Sequence, residues 1–389
     1  MPRLARDRVT WLVYGNLGVF GYFLYGLGPV VPLLRREQGT SLAVASLHST
    51  SLAVGALIGA ALFPVVVRRY GRGRVLWGAL AGLVLATGVL CLARPVWGTL
   101  AAVVAAAVNG TIVITGAIAA LSEYHGDASP AAITEANAAA AGMGVVAPLV
   151  IGAAVRAGVG WRPALFAVAG LVALLAAAAF TFRVRVPAGS GYAGGAADGP
   201  LPRLYWTAWA LIGVTSSVEV CLSLWAAEVL RTHVGMSAGG ASAAVAATVV
   251  GMFVGRLGGG RIALRLRPVP LLLAALGLSG CGFAVFWLAG TAWLAVTGLL
   301  VVGLGNAMHY PLAISMAVAA GGAQPDKAAA YASYSVALGF GLGPLILGWV
   351  ADGVGSAHTA FLLLPVLLAA AAALAVAFGA SRRVSTVAG

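Results

Sequence analysis

Unbroken apolar stretches of about 19 residues or more recur from one end of the chain to the other, separated by short segments that carry most of its charge. A helix rising ~1.5 Å per residue needs ~20 such residues to cross ~30 Å of hydrocarbon. The pattern predicts spans near 11–34, 42–67, 75–93, 97–121, 131–155, 161–182, 205–230, 238–263, 269–289, 292–318, 328–350 and 357–379. Period-two alternation is absent, and an unpaired backbone group in lipid costs several kcal/mol, so the spans are read as helices. The expected fold is an all-α membrane protein of twelve transmembrane helices.

One segment breaks the rhythm. Between the sixth and seventh spans, residues 187–200 read Pro-Ala-Gly-Ser-Gly-Tyr-Ala-Gly-Gly-Ala-Ala-Asp-Gly-Pro and have no apolar periodicity. This flexible linker divides the chain into a bundle at 1–182, a connection at 183–204 and a second bundle at 205–389. A shift of about 196 residues lays the first half on the second with few gaps. Ala147-Pro148-Leu-Val-Ile-Gly152 then falls on Gly343-Pro344-Leu-Ile-Leu-Gly348, and Arg69 on Arg265. Six is even, so the two copies share one orientation and are related by a pseudo-twofold axis along the membrane normal.

Composition agrees with this pattern. The 389 residues are 61% hydrophobic and 8% charged, with a mean hydropathy of +1.00, too little polar surface to cover a water-soluble globule. A net charge of +13 could suggest a nucleic-acid partner, but the arginines cluster between apolar runs, where they act as a topology signal. Placing both termini in the cytoplasm puts 17 basic residues on that side and six on the other. That bias predicts a multi-pass protein of the cell membrane with both ends inside. The first span follows a basic start but is too long for a signal peptide, and Leu33-Leu34-Arg35-Arg36 replaces a small-residue cleavage site. Cys91, Cys221 and Cys281 lie within apolar runs without paired spacing and read as packing residues.

Several short motifs give these features a family resemblance. The stretch after the second span, Pro64-Val-Val-Val-Arg68-Arg69-Tyr70-Gly71-Arg72-Gly73-Arg74, resembles the signature loop of the major facilitator superfamily. Arg69, Gly71 and Arg72 match it. Pro64 stands where the family usually has Gly, and Arg68 where it has Asp. Gly144 to Gly152, with Pro148, is similar to the Gly-Pro motif of the family's antiporters, and Gly339-Phe-Gly341-Leu-Gly343-Pro344 is a fuller copy. Proline removes a helix hydrogen bond and glycine admits a neighbouring backbone, so such segments can bend at a gate. The resemblance implies gating roles for Arg69, Gly71, Arg72, Pro148, Gly152, Arg265, Pro344 and Gly348. It also implies two six-helix bundles working by alternating access.

Charged groups deep in a span must face a cavity or a partner, which makes them the first functional candidates. Glu219 lies near the middle of the seventh span among Thr215, Ser216, Ser217 and Ser223, where a carboxyl could take up and release protons. Arg256 lies nine residues before Arg265, ~13 Å from the end of the eighth span at ~1.5 Å per residue. Its guanidinium suits an anionic substrate or Glu219 itself. His309 and Tyr310 interrupt the tenth span beside Asn306 and Pro311 and could relay protons or contact substrate. Asn16, Tyr22 and Tyr25, then His48, Asn109 and Tyr334, complete a candidate cavity lining, each alternatively a packing or interfacial residue. Glu135, one turn into the fifth span, reads as a solvated helix start.

No nucleotide-binding, metal-ligand or nucleophile motif is present, so neither a cofactor nor an enzymatic activity is expected. The leading reading is a monomeric secondary carrier for a small organic solute, an anionic one included, coupled to protons. A proton-driven drug or metabolite exporter is the alternative within the class. A non-transporting receptor or assembly protein is the alternative outside it, favoured by the altered residue at Arg68.

Overall fold

The computed structural model describes residues 6–125, 129–184, 200–263, 266–321 and 325–387. Among them are fourteen helices and no strand. In the first half these are α1 (Arg8–Gln38), α2 (Leu42–Tyr70), α3 (Arg72–Leu92), α4 (Val96–His125), α5 (Ser129–Arg156) and α6 (Trp161–Thr181). In the second they are α7 (Arg203–Thr232), α8 (Ala238–Ala244), α9 (Ala246–Ala263), α10 (Pro268–Leu288), α11 (Ala292–Ala320), α12 (Pro325–Val354), α13 (Ala357–Ala360) and α14 (Leu363–Val387). Twelve spans are long and apolar enough to cross a membrane, the number the hydropathy pattern predicts. Arg265 lies outside the described residues, as does most of the linker.

The backbone departs from the expected pattern in two places. The stretch from Pro64 to Arg74, expected as a loop, is almost entirely helical: α2 runs to Tyr70, α3 begins at Arg72, and Gly71 alone makes the turn. Its φ of 78° is open to glycine and strained for other residues. The eighth span, expected as one helix, is interrupted at Val245. There the Thr248 N–H bonds to the Val245 carbonyl one residue short of the α-helical spacing, and the chain resumes as α9.

The chain forms two compact units: residues 1–39, 50–193 and 238–243, and residues 40–49, 194–237 and 244–389. In the first, α1 packs on α5, α4 and α6. In the second, α7 packs on α12, α11 and α14, while α10 and α9 flank α11. The apolar windows of α1 and α7 are 78% and 72% buried against 22% for α6, which separates the helices at each unit's centre from those turned to lipid. Two short pieces are exchanged between the sequence halves. The start of α2 belongs with the second unit, and the start of α8 with the first.

Why these pieces cross over is visible in their contacts. Within the second unit, a Cβ placed on Gly348 would lie 2.7 Å from Ser46 Oγ and 2.9 Å from Ala43 Cα, so only glycine lets α12 approach the start of α2 this closely. Within the first, a Cβ on Gly152 would lie 2.6 Å from the Gly239 carbonyl oxygen. The two contacts occupy equivalent places in the repeat.

Candidate functional site

In the second unit Glu219 sits half-buried at the middle of α7, between the fully buried stretches 215–218 and 220–222. Thr215 and Ser217 turn their hydroxyls onto their own helix carbonyls, at Leu211 and Gly213, and leave the carboxyl without a donor from those side chains. Among the described residues, no hydrogen bond or ion pair closes on Glu219. Arg256 on α9 and Tyr310 on α11 lie within electrostatic range of its carboxyl. Arg256 is itself half-buried, and its Nε has no hydrogen-bond partner. The acid at mid-helix thus has a cation and a phenol of two other helices within electrostatic range, and no hydrogen bond or ion pair with either.

Adjacent residues on a helix point about 100° apart, and His309 and Tyr310 separate accordingly. Tyr310 is exposed and shares the neighbourhood of Glu219, whereas His309 is buried against α10. Its Nε2 lies 3.2 Å from Ser279 Oγ, which also donates to Asn306 Oδ1 at 3.2 Å. The structure thus places His309 in a packed polar contact between α10 and α11. Tyr334 on α12 is edge-on to Tyr331, with ring centroids 5.7 Å apart. His48 is buried with its Nδ1 2.9 Å from the Ala45 carbonyl of its own helix.

The first unit holds the remaining candidates. Tyr22 is buried, and its hydroxyl donates to the Ala164 carbonyl at 2.6 Å. The Tyr25 ring fills the space beside Gly144, where a Cβ would come within 2.6 Å of it. Asn16 is buried with its Oδ1 unpartnered, and Asn109 donates to the Ala105 carbonyl at 2.8 Å. Glu135, on α5 of the same unit, is paired rather than simply solvated: Arg6 Nη2 is 2.6 Å away and the Tyr14 hydroxyl 3.1 Å.

The family model of the Major Facilitator Superfamily matches residues 13–324. The chain belongs to the major facilitator superfamily. An uncharacterized MFS-type transporter of Yersinia pestis is 26% identical over 373 residues, covering 90% of this chain and 92% of that protein. Solved structures share the fold. The D-xylose–proton symporter superposes with a TM-score of 0.77 at 16% identity, covering 95% of this chain and 96% of that one. An inward-facing, unoccupied bacterial homolog of the human lysosomal transporter Spinster gives 0.75 at 16% identity, covering 96% of each. A variant nucleoside transporter gives 0.75 at 13% identity, covering 96% of this chain and 98% of that one.

In this superfamily member the signature segment carries an ion pair that the sequence pattern did not reveal. Arg72 Nη1 meets Glu123 Oε2 at 2.7 Å, tying the start of α3 to the end of α4, with the arginine side chain only 8% exposed. Arg69 lies over the Tyr70 ring, 5.4 Å from its centroid, and Arg68 Nε donates to the Pro64 carbonyl one turn back at 3.3 Å. Pro148 and Pro344 both lie inside continuous helices.

Sequence reasoning missed other polar contacts because they sit at helix ends. Asp352, at the end of α12, accepts the backbone N–H groups of Leu42 and Ala43, each at 2.9 Å. The 196-residue shift that pairs Gly152 with Gly348 pairs Arg156 with Asp352, and Arg156 Nη1 donates to the Gly239 carbonyl at 3.4 Å. Glu37 accepts from Trp161 Nε1 at 2.8 Å and Arg162 Nη1 at 3.0 Å. At the chain start, burial acts to raise the Asp7 pKa, but hydrogen bonds from Tyr124 and Thr10 outweigh it and hold the carboxyl below its usual value. In the second unit, just after α7, His233 stacks on His358 with centroids 3.6 Å apart, and Trp287 covers His358 from 4.8 Å. Burial first, and then the neighbouring His358, lower the His233 pKa.

Proposed function

We propose that the protein is a secondary active carrier that works by alternating access, couples transport to protons through Glu219 and moves a small organic solute with an anionic group that engages Arg256. The observation that supports this reading is the convergence of Glu219, Arg256 and Tyr310 from three helices with no hydrogen bond or ion pair closing on the acid. A carboxylate and a guanidinium within electrostatic reach but not joined are free to exchange partners, so protonation of one can be linked to solute capture by the other. The distribution of basic residues supports cytoplasmic termini. The symporter fold relatives lend analogy and no more.

Thermal unfolding of the purified protein against a panel of carboxylates, phosphate esters, sugars and amines tests the solute class. Ligand binding to the native state raises stability with concentration over affinity. Anionic solutes should raise the midpoint, and should enter proteoliposomes faster when the pH gradient is imposed. If only cationic or neutral solutes stabilise the protein, the anionic assignment fails. If none of the stabilising solutes crosses the membrane, the receptor reading takes its place.

A further inference from the structure

The end of α6 is flanked by two cavities. One, of about 280 Å³, is walled by Arg8, Trp11 and Leu12 of α1 and by Leu175, Ala178 and Phe182. The other, of about 890 Å³, lies between Trp77 of α3 and the segment from Ala176 to Val184, including Arg183. Each has an indole and one guanidinium in its lining, and the smaller is almost wholly apolar. Arg8 rests over the Phe182 ring, 5.1 Å from its centroid, and makes no ion pair among the described residues. Arg183 is exposed and likewise unpaired there, held in the turn after α6 at a φ of 51°.

The repeat supplies an internal control. The same shift that aligns the two halves sets Phe182 on Phe378, Ala178 on Leu374, Arg8 on Leu204 and Arg183 on Gly379. Phe182 is 54% exposed, whereas Phe378 is 1% exposed, and Gly379 abuts Val269. The second unit has closed the place that the first keeps open and has no arginine at either aligned position, with Arg203 beside Leu204 as the nearest cation in sequence to the first of them. Packing of a six-helix unit therefore does not require this opening.

We propose that the paired grooves around the end of α6 bind an anionic phospholipid, with Arg8 and Arg183 taking the headgroup phosphate and the Ala178 trough taking acyl chain. Trp11 and Trp77 suit the interfacial depth at which head and tail meet. A basic pocket between transmembrane helices at a membrane surface has the chemistry to hold such a headgroup, and a zwitterionic lipid lacks the net charge to compete equally. The site is independent of the transported solute.

Native mass spectrometry of the full chain, released from detergent doped with equal phosphatidylglycerol and phosphatidylcholine, reads the preference directly. Wild type should retain phosphatidylglycerol over phosphatidylcholine, and Arg8→Gln and Arg183→Gln should each lower that retention about fivefold. Ala178→Leu, which installs the residue of the second repeat, should lower retention while leaving both charges in place. Arg94→Gln, an exposed arginine elsewhere, should leave it unchanged. Equal retention of the two lipids, or undiminished retention in the Arg8→Gln/Arg183→Gln double variant, overturns the proposal. So does an equal loss in Arg94→Gln, which would reduce the effect to general surface charge.

Discussion

Removing the carboxylate of Asp352 should loosen the start of α2 by an amount that the hydrogen-bond geometry sets. A helix begins with N–H groups that have no intrahelical acceptor. In α2 they are accounted for one by one: Ser41 Oγ accepts from Val44 N–H at 3.2 Å, and the two Asp352 oxygens accept from Leu42 and Ala43 at 2.9 Å. The first intrahelical bond, from Ala45 N–H to the Ser41 carbonyl, follows at 3.1 Å. A single capping bond contributes about 1 kcal/mol, with a few tenths more from a negative charge at a helix N-terminus. Asp352 is exposed, so water recovers part of this when the carboxylate is lost, and Asp352→Ala should cost about 1–2 kcal/mol locally. Asp352→Asn retains one acceptor oxygen and should cost about half. Hydrogen–deuterium exchange of peptides covering residues 40–49 measures this opening without requiring a substrate. At ~1.4 kcal/mol per decade, exchange at Leu42 and Ala43 should speed up about 5- to 30-fold in Asp352→Ala, with Asp352→Asn between it and wild type. Unchanged exchange at these two amides in Asp352→Ala would refute the reasoning.

Acidification should weaken the second unit through the His233 stack. A histidine whose pKa is lowered on folding contributes its full share above its unfolded value near ~6.5, and loses it as pH falls below. The midpoint of thermal unfolding should therefore drop between about pH 7 and pH 5, and His233→Phe, which keeps a stacked ring without a titrating nitrogen, should flatten that drop. Asp7 carries the opposite chemistry to the same sign: its depressed pKa means that the stability it contributes is lost as pH falls below ~4, and Asp7→Asn should blunt that loss. At Arg256, Arg256→Lys should keep much of any attraction to Glu219 but lower affinity for a bidentate anionic solute about tenfold, read from ligand-induced stabilisation. Loss of affinity in Arg256→Ala alone, with Arg256→Lys unaffected, would show that a point charge suffices.

The sequence conveyed what depends on solvent and repetition. Twelve apolar lengths, the internal repeat and the glycine-proline segments are all set by residue type along the chain, and the helices match them. Details that depend on one residue's direction were less accessible. Neighbours as similar in the sequence as His309 and Tyr310 proved to face different surroundings, because a helix turns about 100° between them. The break at Val245 gives no composition signal, since both flanks are apolar. Asp352 and Glu37 carry no signal of depth within a span, because both act at helix ends. The repeat itself held a clue, since it sets Asp352 opposite Arg156.

The central claim is that Glu219 couples solute movement to protons, and transport by reconstituted protein tests it most directly. Proteoliposomes with an imposed pH gradient would be supplied with whichever solute stabilises the purified protein, and both uphill accumulation and exchange at equal pH would be followed for wild type and Glu219→Gln. A neutral isostere cannot cycle a proton but preserves shape. Accumulation should be lost in Glu219→Gln while exchange persists. Full gradient-driven accumulation in Glu219→Gln, at wild-type expression and stability, would contradict the account and move the coupling site elsewhere.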